Sequence, residues 1–376
     1  MAEFDYYINH RQVEESRARL IKSYRMEAAD HVPVVQTTKV KLDYTIYDIV
    51  YKKEAMLHQQ LSDISATMRH KTDYCPMLAP WHGVGMYAEL LGCEINYYEN
   101  DWPWAKPVIT DNPEDVYKLK PKKLEESELW RHLFKTIDYF QKNTRGDIPI
   151  CATDPQGPMA TASMIWRTED LMCACYTNPE EVHYLLNLVT DVFIEFYEKQ
   201  MEKIENPAYP GWGFPLGEAG TGISMSDDNA AFMSPKLYEE FCVPYNARIA
   251  KHFNGLYLHS CGNWMHNIPV AVKIPQLRAI NYHSAPRDGE PEKYRSMIGD
   301  SCAVWTGPTD ADIGFGGNRP DDRALYGEYL VPKNMQAGGK GLIISGMGDY
   351  TGAEGKTPHE MDEFYDWLVG VTKQYT

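Results

Sequence analysis

Positive charge is scarce in this chain: 37 lysines and arginines stand against 53 aspartates and glutamates, for a net charge of −16. That sign is wrong for a phosphate backbone or an anionic bilayer surface, so no nucleic-acid partner and no membrane partner are expected. Long apolar runs are missing as well. No stretch approaches the ~20 residues that cross a bilayer. The opening MAEFDYYINHRQVEESRARL has neither the basic patch nor the apolar segment of a secretory signal. Cysteine is sparse and irregular, with eight residues at 75, 93, 151, 173, 175, 242, 261 and 302 of 376. That pattern suits reduced thiols in a cytoplasm, not a disulfide framework. Low-complexity tracts, fixed-period repeats and linkers are absent, so residues 1–376 are expected to form one domain.

What remains is an alternation of short apolar runs with longer amphipathic ones. Strands are predicted at 31–37, 74–80, 148–154, 209–218, 255–261, 277–283, 302–308 and 341–347. Their near-continuous apolarity suits parallel strands covered on both faces. A helical segment is expected near the N-terminus, at about 9–28. Between the strands, helix starts are legible. Asn178 and Pro179 open a helix whose Val182, Leu185, Leu186, Val189, Val192, Phe193 and Phe196 form one stripe. Ser234 and Pro235 repeat the device, and Thr357 with Glu360 makes a capping box. Eight such units predict an α/β fold, a single-domain (β/α)8 TIM barrel. A doubly wound sheet would show a Gly-rich turn after its first strand, and VVQTTKVKLD has none.

In a barrel of this kind the active site forms where the strands end. Polar residues crowd those places: Asp154, Glu218 followed by Asp227 and Asp228, His259 with Cys261, His283, Asp310 and Asp349. Each has a plainer reading. Asp154 and Asp310 are also common turn formers, and a lone histidine such as His283 is more often hydrogen-bonded in a core. Cys173 and Cys175 are expected on a helix, where residues two apart diverge. His259 and Cys261, two apart at a strand end, share a face while Ser260 points away. As two ligands they are half a zinc site, and neighbouring strand ends must supply the rest. Equally, the imidazole can bond a carbonyl while the thiol packs as a small hydrophobe.

The fragments ADHVPVV, DPQGPMATASMIW, DDNAAFMSPKLYEEFCVPYNARI, LHSCG and SGMGDYTGAEGKTPHEM, in this order, resemble the uroporphyrinogen decarboxylase superfamily. The resemblance implies a single (β/α)8 barrel. True uroporphyrinogen decarboxylases carry an arginine-rich loop after the first strand; here that stretch holds only Lys39 and Lys41. The chain is closer to the zinc-dependent methyltransferases of the superfamily, which move methyl groups between small molecules and corrinoid proteins. Their motif H-x-C-G is present as His259, Cys261 and Gly262, but Met347 stands where a third cysteine ligand is expected. A thioether is a far poorer zinc ligand than a thiolate, so either a carboxylate such as Glu218 or Asp349 substitutes, or no zinc binds.

The function the resemblance implies is therefore metal-assisted methyl transfer between a methyl ether, amine or thiol and a corrinoid protein. Zn2+ would be the resident cofactor, and a homodimer is possible by analogy. The signature D-x-H-x-x-G is missing, so the corrinoid would arrive on a partner. Catalytic roles are expected among Glu218, Asp154, Asp228, His283, Asp310 and Asp349. The alternative is a metal-independent carboxy-lyase acting on a small carboxylic acid. Trp and Tyr are abundant, at 9 and 26, and the clusters YYENDWPWAKP and YPGWGF could line a mouth for a flat ring or a corrin face.

Overall fold

The computed structural model describes residues 4–284, 289–308, 322–336, 339–350 and 356–375, with the backbone alone at His283, Asp349 and Tyr350. Eight strands occur among them: β1 (Val34–Lys39), β2 (Glu94–Asn96), β3 (Trp104–Lys106), β4 (Ile223–Ser226), β5 (Leu256–His259), β6 (Leu277–His283), β7 (Ala303–Gly307) and β8 (Leu342–Tyr350). Six pair in the order β1-β8-β7-β6-β5-β4, every pair parallel. β2 and β3 make a separate antiparallel pair. Parallel neighbours need crossovers, and helices supply them. The longest, Pro179–Lys203, buries all seven residues of its predicted stripe.

Two predicted strands are thinner than expected. The segments 74–80 and 148–154 contribute single bridges, Leu78 to Ile150 and Ile150 to Pro207. A run of backbone hydrogen bonds still crosses from β1 to β4. Asp73 N–H donates to Val34, Cys151 to Leu78, Ala208 to Ile150 and Ser224 to Pro210, at 2.8–2.9 Å. The third departure is a misplacement. Residues 209–218 form no strand, because Pro210 and Pro215 lack donors and Gly211 and Gly213 sit at φ +102° and +78°. The strand comes later, at Ile223–Ser226.

The helix starts behave as read, with one exception. Ser234 accepts the Leu237 N–H, and Thr357 with Glu360 closes a capping box. Asn178 makes no cap bond; its side chain accepts Thr177 Oγ1 instead. Helix His10–Tyr24, the expected N-terminal segment, closes one end of the sheet. Leu20 packs into a buried cluster with Tyr257, Ala279, Ala303 and Ile343. Tyr24 meets Tyr257 edge-on and donates to the Pro215 carbonyl at 2.8 Å. These contacts plug the side where the strands begin and leave the side where they end for a site.

Candidate metal and active site

Ser226 of β4 pairs with His259 of β5, so the residues after both strands emerge together. The Asp227 N–H donates to the His259 carbonyl at 2.7 Å, extending the pairing one step past β4. Asp227 then turns inward, where Asn246 donates to its Oδ2 at 2.9 Å. Burial lifts its carboxyl to about 6. It acts as a strut for the turn Asp228–Ala231.

Asp228 faces the other way. Its Oδ1 accepts the Cys261 N–H at 2.8 Å. The close approach of the two loops needs Gly262, because a Cβ there would stand 2.5 Å from the Ala231 Cβ. From β6, Asn281 accepts the Ser260 N–H at 3.1 Å and donates to its carbonyl at 3.3 Å. The chain past β5 is thus held on both sides. His259 Nε2 lies 3.1 Å from Cys261 Sγ, and one donor atom each from Asp228, His259 and Cys261 lie within 4.8 Å of one another.

This donor set fits a zinc ion. Nitrogen, sulfur and oxygen ligands at ~2.0–2.3 Å around a tetrahedral ion stand about 3.3–3.8 Å apart, within reach of small side-chain rotations. Burial holds the His259 imidazole below its ordinary pKa against the opposing charge of Asp228. The ring is therefore neutral near pH 7 and keeps a lone pair to donate.

Asp154 stands beside this cluster. It is buried, and its carboxylate accepts Trp81 Nε1 at 3.3 Å, Gln156 Nε2 at 3.0 Å and Ser226 Oγ at 3.5 Å. Burial, reinforced by the charge of Asp228, pushes its carboxyl up to about 7 despite those donors. A carboxyl tuned there can give or take a proton at neutral pH. Trp81 stacks on Trp212 (5.8 Å, 11°) and meets Trp102 edge-on at 5.3 Å. Next to Trp212, Gly213 lies against the His259 ring, which a Cβ there would approach to 3.8 Å. The indole wall therefore borders Asp154, and the backbone beside Trp212 borders His259.

The structure brings together Asp154, Asp228, His259 and Cys261. It does not bring Glu218, which sits at the opposite end of the strands. There Glu218 pairs with Arg25 at 2.5 Å beside Thr221, Tyr257, Leu277 and Arg278. The misassigned strand explains the error: without 209–218 as a strand, Glu218 is not at a strand end. His283 closes β6 opposite Gly307, and Asp349 of β8 pairs with Thr38 of β1; their side chains lie outside the described residues, as does Asp310 entirely. Met347 is buried in the main apolar core. Cys173 and Cys175 lie on helix Thr168–Thr177, as expected. None of the eight cysteines forms a disulfide, and no described helix is long and apolar enough to cross a membrane. Trp81, Gln156 and Ser226 were not foreseen, although Trp81 directly follows the apolar run 74–80.

A curated relative, the methylated-thiol–coenzyme M methyltransferase of Methanosarcina mazei, is 26% identical over 257 residues. The match covers 68% of this chain and 64% of that protein, so the chain spans under two thirds of the relative's length. A solved methyltransferase structure from Methanosarcina mazei superposes with a TM-score of 0.64 at 16% identity. It covers 96% of this chain and 98% of the other, a likeness of fold. Both relatives carry the name methyltransferase, the branch expected from the H-x-C-G motif. Residues 15–204 match the uroporphyrinogen decarboxylase (URO-D) family, and the chain belongs to that family.

Proposed function

We propose that this chain is a metal-assisted methyltransferase, moving a methyl group between a small molecule and a corrinoid carried by a separate protein. The carrying observation is the convergence of Asp228, His259 and Cys261 within 4.8 Å, beside a carboxyl tuned to about 7. Naming of the curated relative as a methyltransferase supports the same reading. The scaffold in this reading is a closed eight-stranded (β/α)8 barrel, supported by the hydrogen bonds that cross from β1 to β4. The enzyme is cytoplasmic, in keeping with its dispersed cysteines, and two copies pair as a homodimer.

His259, Cys261 and Asp228 would hold a zinc ion, Asp228 taking the place of the third cysteine. When bound, zinc supplies Lewis acidity to a departing heteroatom or to a thiol nucleophile. The chain does the rest. Asp154 keeps its carboxyl protonated in a large fraction of molecules near pH 7 and passes that proton to the oxygen, nitrogen or sulfur losing its methyl. Trp81, Gln156 and Ser226 hold the carboxylate once the proton has gone. The indole wall packs the substrate and excludes water from the transfer.

The test offers the purified protein a panel of methylated ethers, amines and thiols with free cob(I)alamin as acceptor, followed by absorbance. Formation of methylcobalamin, lost in the double variant His259→Ala with Cys261→Ser, supports the proposal. Release of CO2 from a small carboxylic acid by metal-free protein, with no methyl transfer, supports the carboxy-lyase in its place.

A further inference from the structure

One buried donor has no role in the chemistry above. Trp305 on β7 is 4% exposed, and its indole Nε1 has no hydrogen-bond partner among the described residues. An orphaned buried N–H costs about 1–3 kcal/mol, and native proteins rarely leave one without a purpose. Trp305 lines a partly open cavity of about 50 Å³, together with Lys39, Asp63, Tyr74 and Gly213. That volume suits a few heavy atoms and is too small for a ring.

Lys39 supplies a cation to the same cavity. Its ammonium donates to Asp63 Oδ2 at 3.0 Å, which uses one of three donors. Asp63 is further satisfied by the Val40 N–H at 2.8 Å and Gln59 Nε2 at 3.0 Å. Its charge is thus shared among three donors, and Lys39 keeps an attraction for a second anion. Lys39 and Asp63 also line a second cavity of about 250 Å³, whose walls include Trp81, Trp102, Trp212 and Met56. The two spaces share the wall made by Lys39 and Asp63; in the smaller one these residues and Trp305 stand on an otherwise largely apolar lining that includes Val35, Met77 and Phe214.

We propose that the small-molecule substrate is a monocarboxylate with a flat apolar body. Its carboxylate sits in the smaller space, accepting from Trp305 Nε1 and Lys39 Nζ, and its body lies against the three indoles. A neutral molecule would satisfy the indole N–H at best and offer no charge to the ammonium donors that Asp63 does not take. This inference rests on the reading that the site handles a small molecule, but its test needs neither metal nor methyl transfer.

The test titrates 4-methoxybenzoate and methoxybenzene into the purified chain by calorimetry. The acid binds measurably tighter than the uncharged ether. Lys39→Met weakens the acid about tenfold or more, and Trp305→Phe about fivefold, as expected for hydrogen bonds to a charged group. Methoxybenzene changes less than about twofold in either variant, since it meets only the larger space. Lys39 is at the surface end of its strand, so Lys39→Met and Lys39→Glu remain informative should Trp305→Phe fold poorly. Equal affinity for acid and ether, no heat from the acid at millimolar concentration, or Lys39 variants that bind the acid like the parent would overturn the inference. Binding of the acid with no methyl transfer from any donor would instead sink the proposed function and leave this inference standing.

Discussion

His259 Nε2 and Cys261 Sγ lie 3.1 Å apart although β5 ends at His259. Strand geometry alone does not hold the cysteine there. The Asp228 carboxylate does, by accepting the Cys261 N–H, and the same carboxylate supplies the third donor atom of the cluster. One side chain thus both shapes the loop and completes the ligand set.

Asp228→Asn separates those two tasks. The amide oxygen can still accept the Cys261 N–H, so the loop keeps its shape and the melting temperature changes little. The anionic ligand is lost, and zinc affinity falls by about tenfold or more in a chelator competition. Unchanged affinity would remove Asp228 from the ligand set.

Gly262→Ala tests the loop geometry without touching a ligand. The new Cβ would press on Ala231 Cβ at 2.5 Å, forcing the Asp228 turn away from Cys261. Weakened zinc binding with all three ligands intact is the expected result. A variant that binds zinc as the parent does would show that the two loops need not meet.

Asp154→Asn changes stability in a pH-dependent way. The folded carboxyl titrates near 7, above its ordinary 3.8, so the folded state holds the proton longer than the unfolded one. Its favourable contribution is full below about 4 and is lost as pH rises through 7. Measured on chelator-treated protein, the variant is therefore stabilised relative to the parent at pH 8, on the order of 2 kcal/mol after one lost hydrogen bond. The advantage shrinks toward pH 5. Thermal melts at the two pH values with equal differences would contradict the buried, shifted carboxyl.

Glu218→Gln leaves zinc content and methyl transfer unchanged, because its partner is Arg25 at the plugged end of the strands. A loss of activity in this variant would mean that the site extends through the sheet.

These residues also mark how far the sequence could be read. Continuous apolar strands, the buried helical stripe at 182–196 and two helix caps followed from spacing and side-chain chemistry, so the α/β architecture was legible. His259 and Cys261 were legible because their motif is short and local. Glu218 was misread because Pro210, Gly211, Gly213 and Pro215 break an apolar run that otherwise looks like a strand. The four-residue β4, ISMS, alternates serine with apolar residues and gives almost no signal of its own. The loop contact between Asp228 and Cys261 depends on Gly262 and on the β4–β5 register, which no linear pattern contains. Trp305 looked like any core aromatic; only its N–H, unpaired among the described residues, sets it apart.

Metal content tests the central claim most directly. Protein purified without chelators is analysed for zinc by mass spectrometry, beside His259→Ala with Cys261→Ser. The account predicts about one zinc per chain in the parent and none in the double variant, with both folded by circular dichroism. A metal-free parent, or a double variant that keeps its zinc, would contradict it.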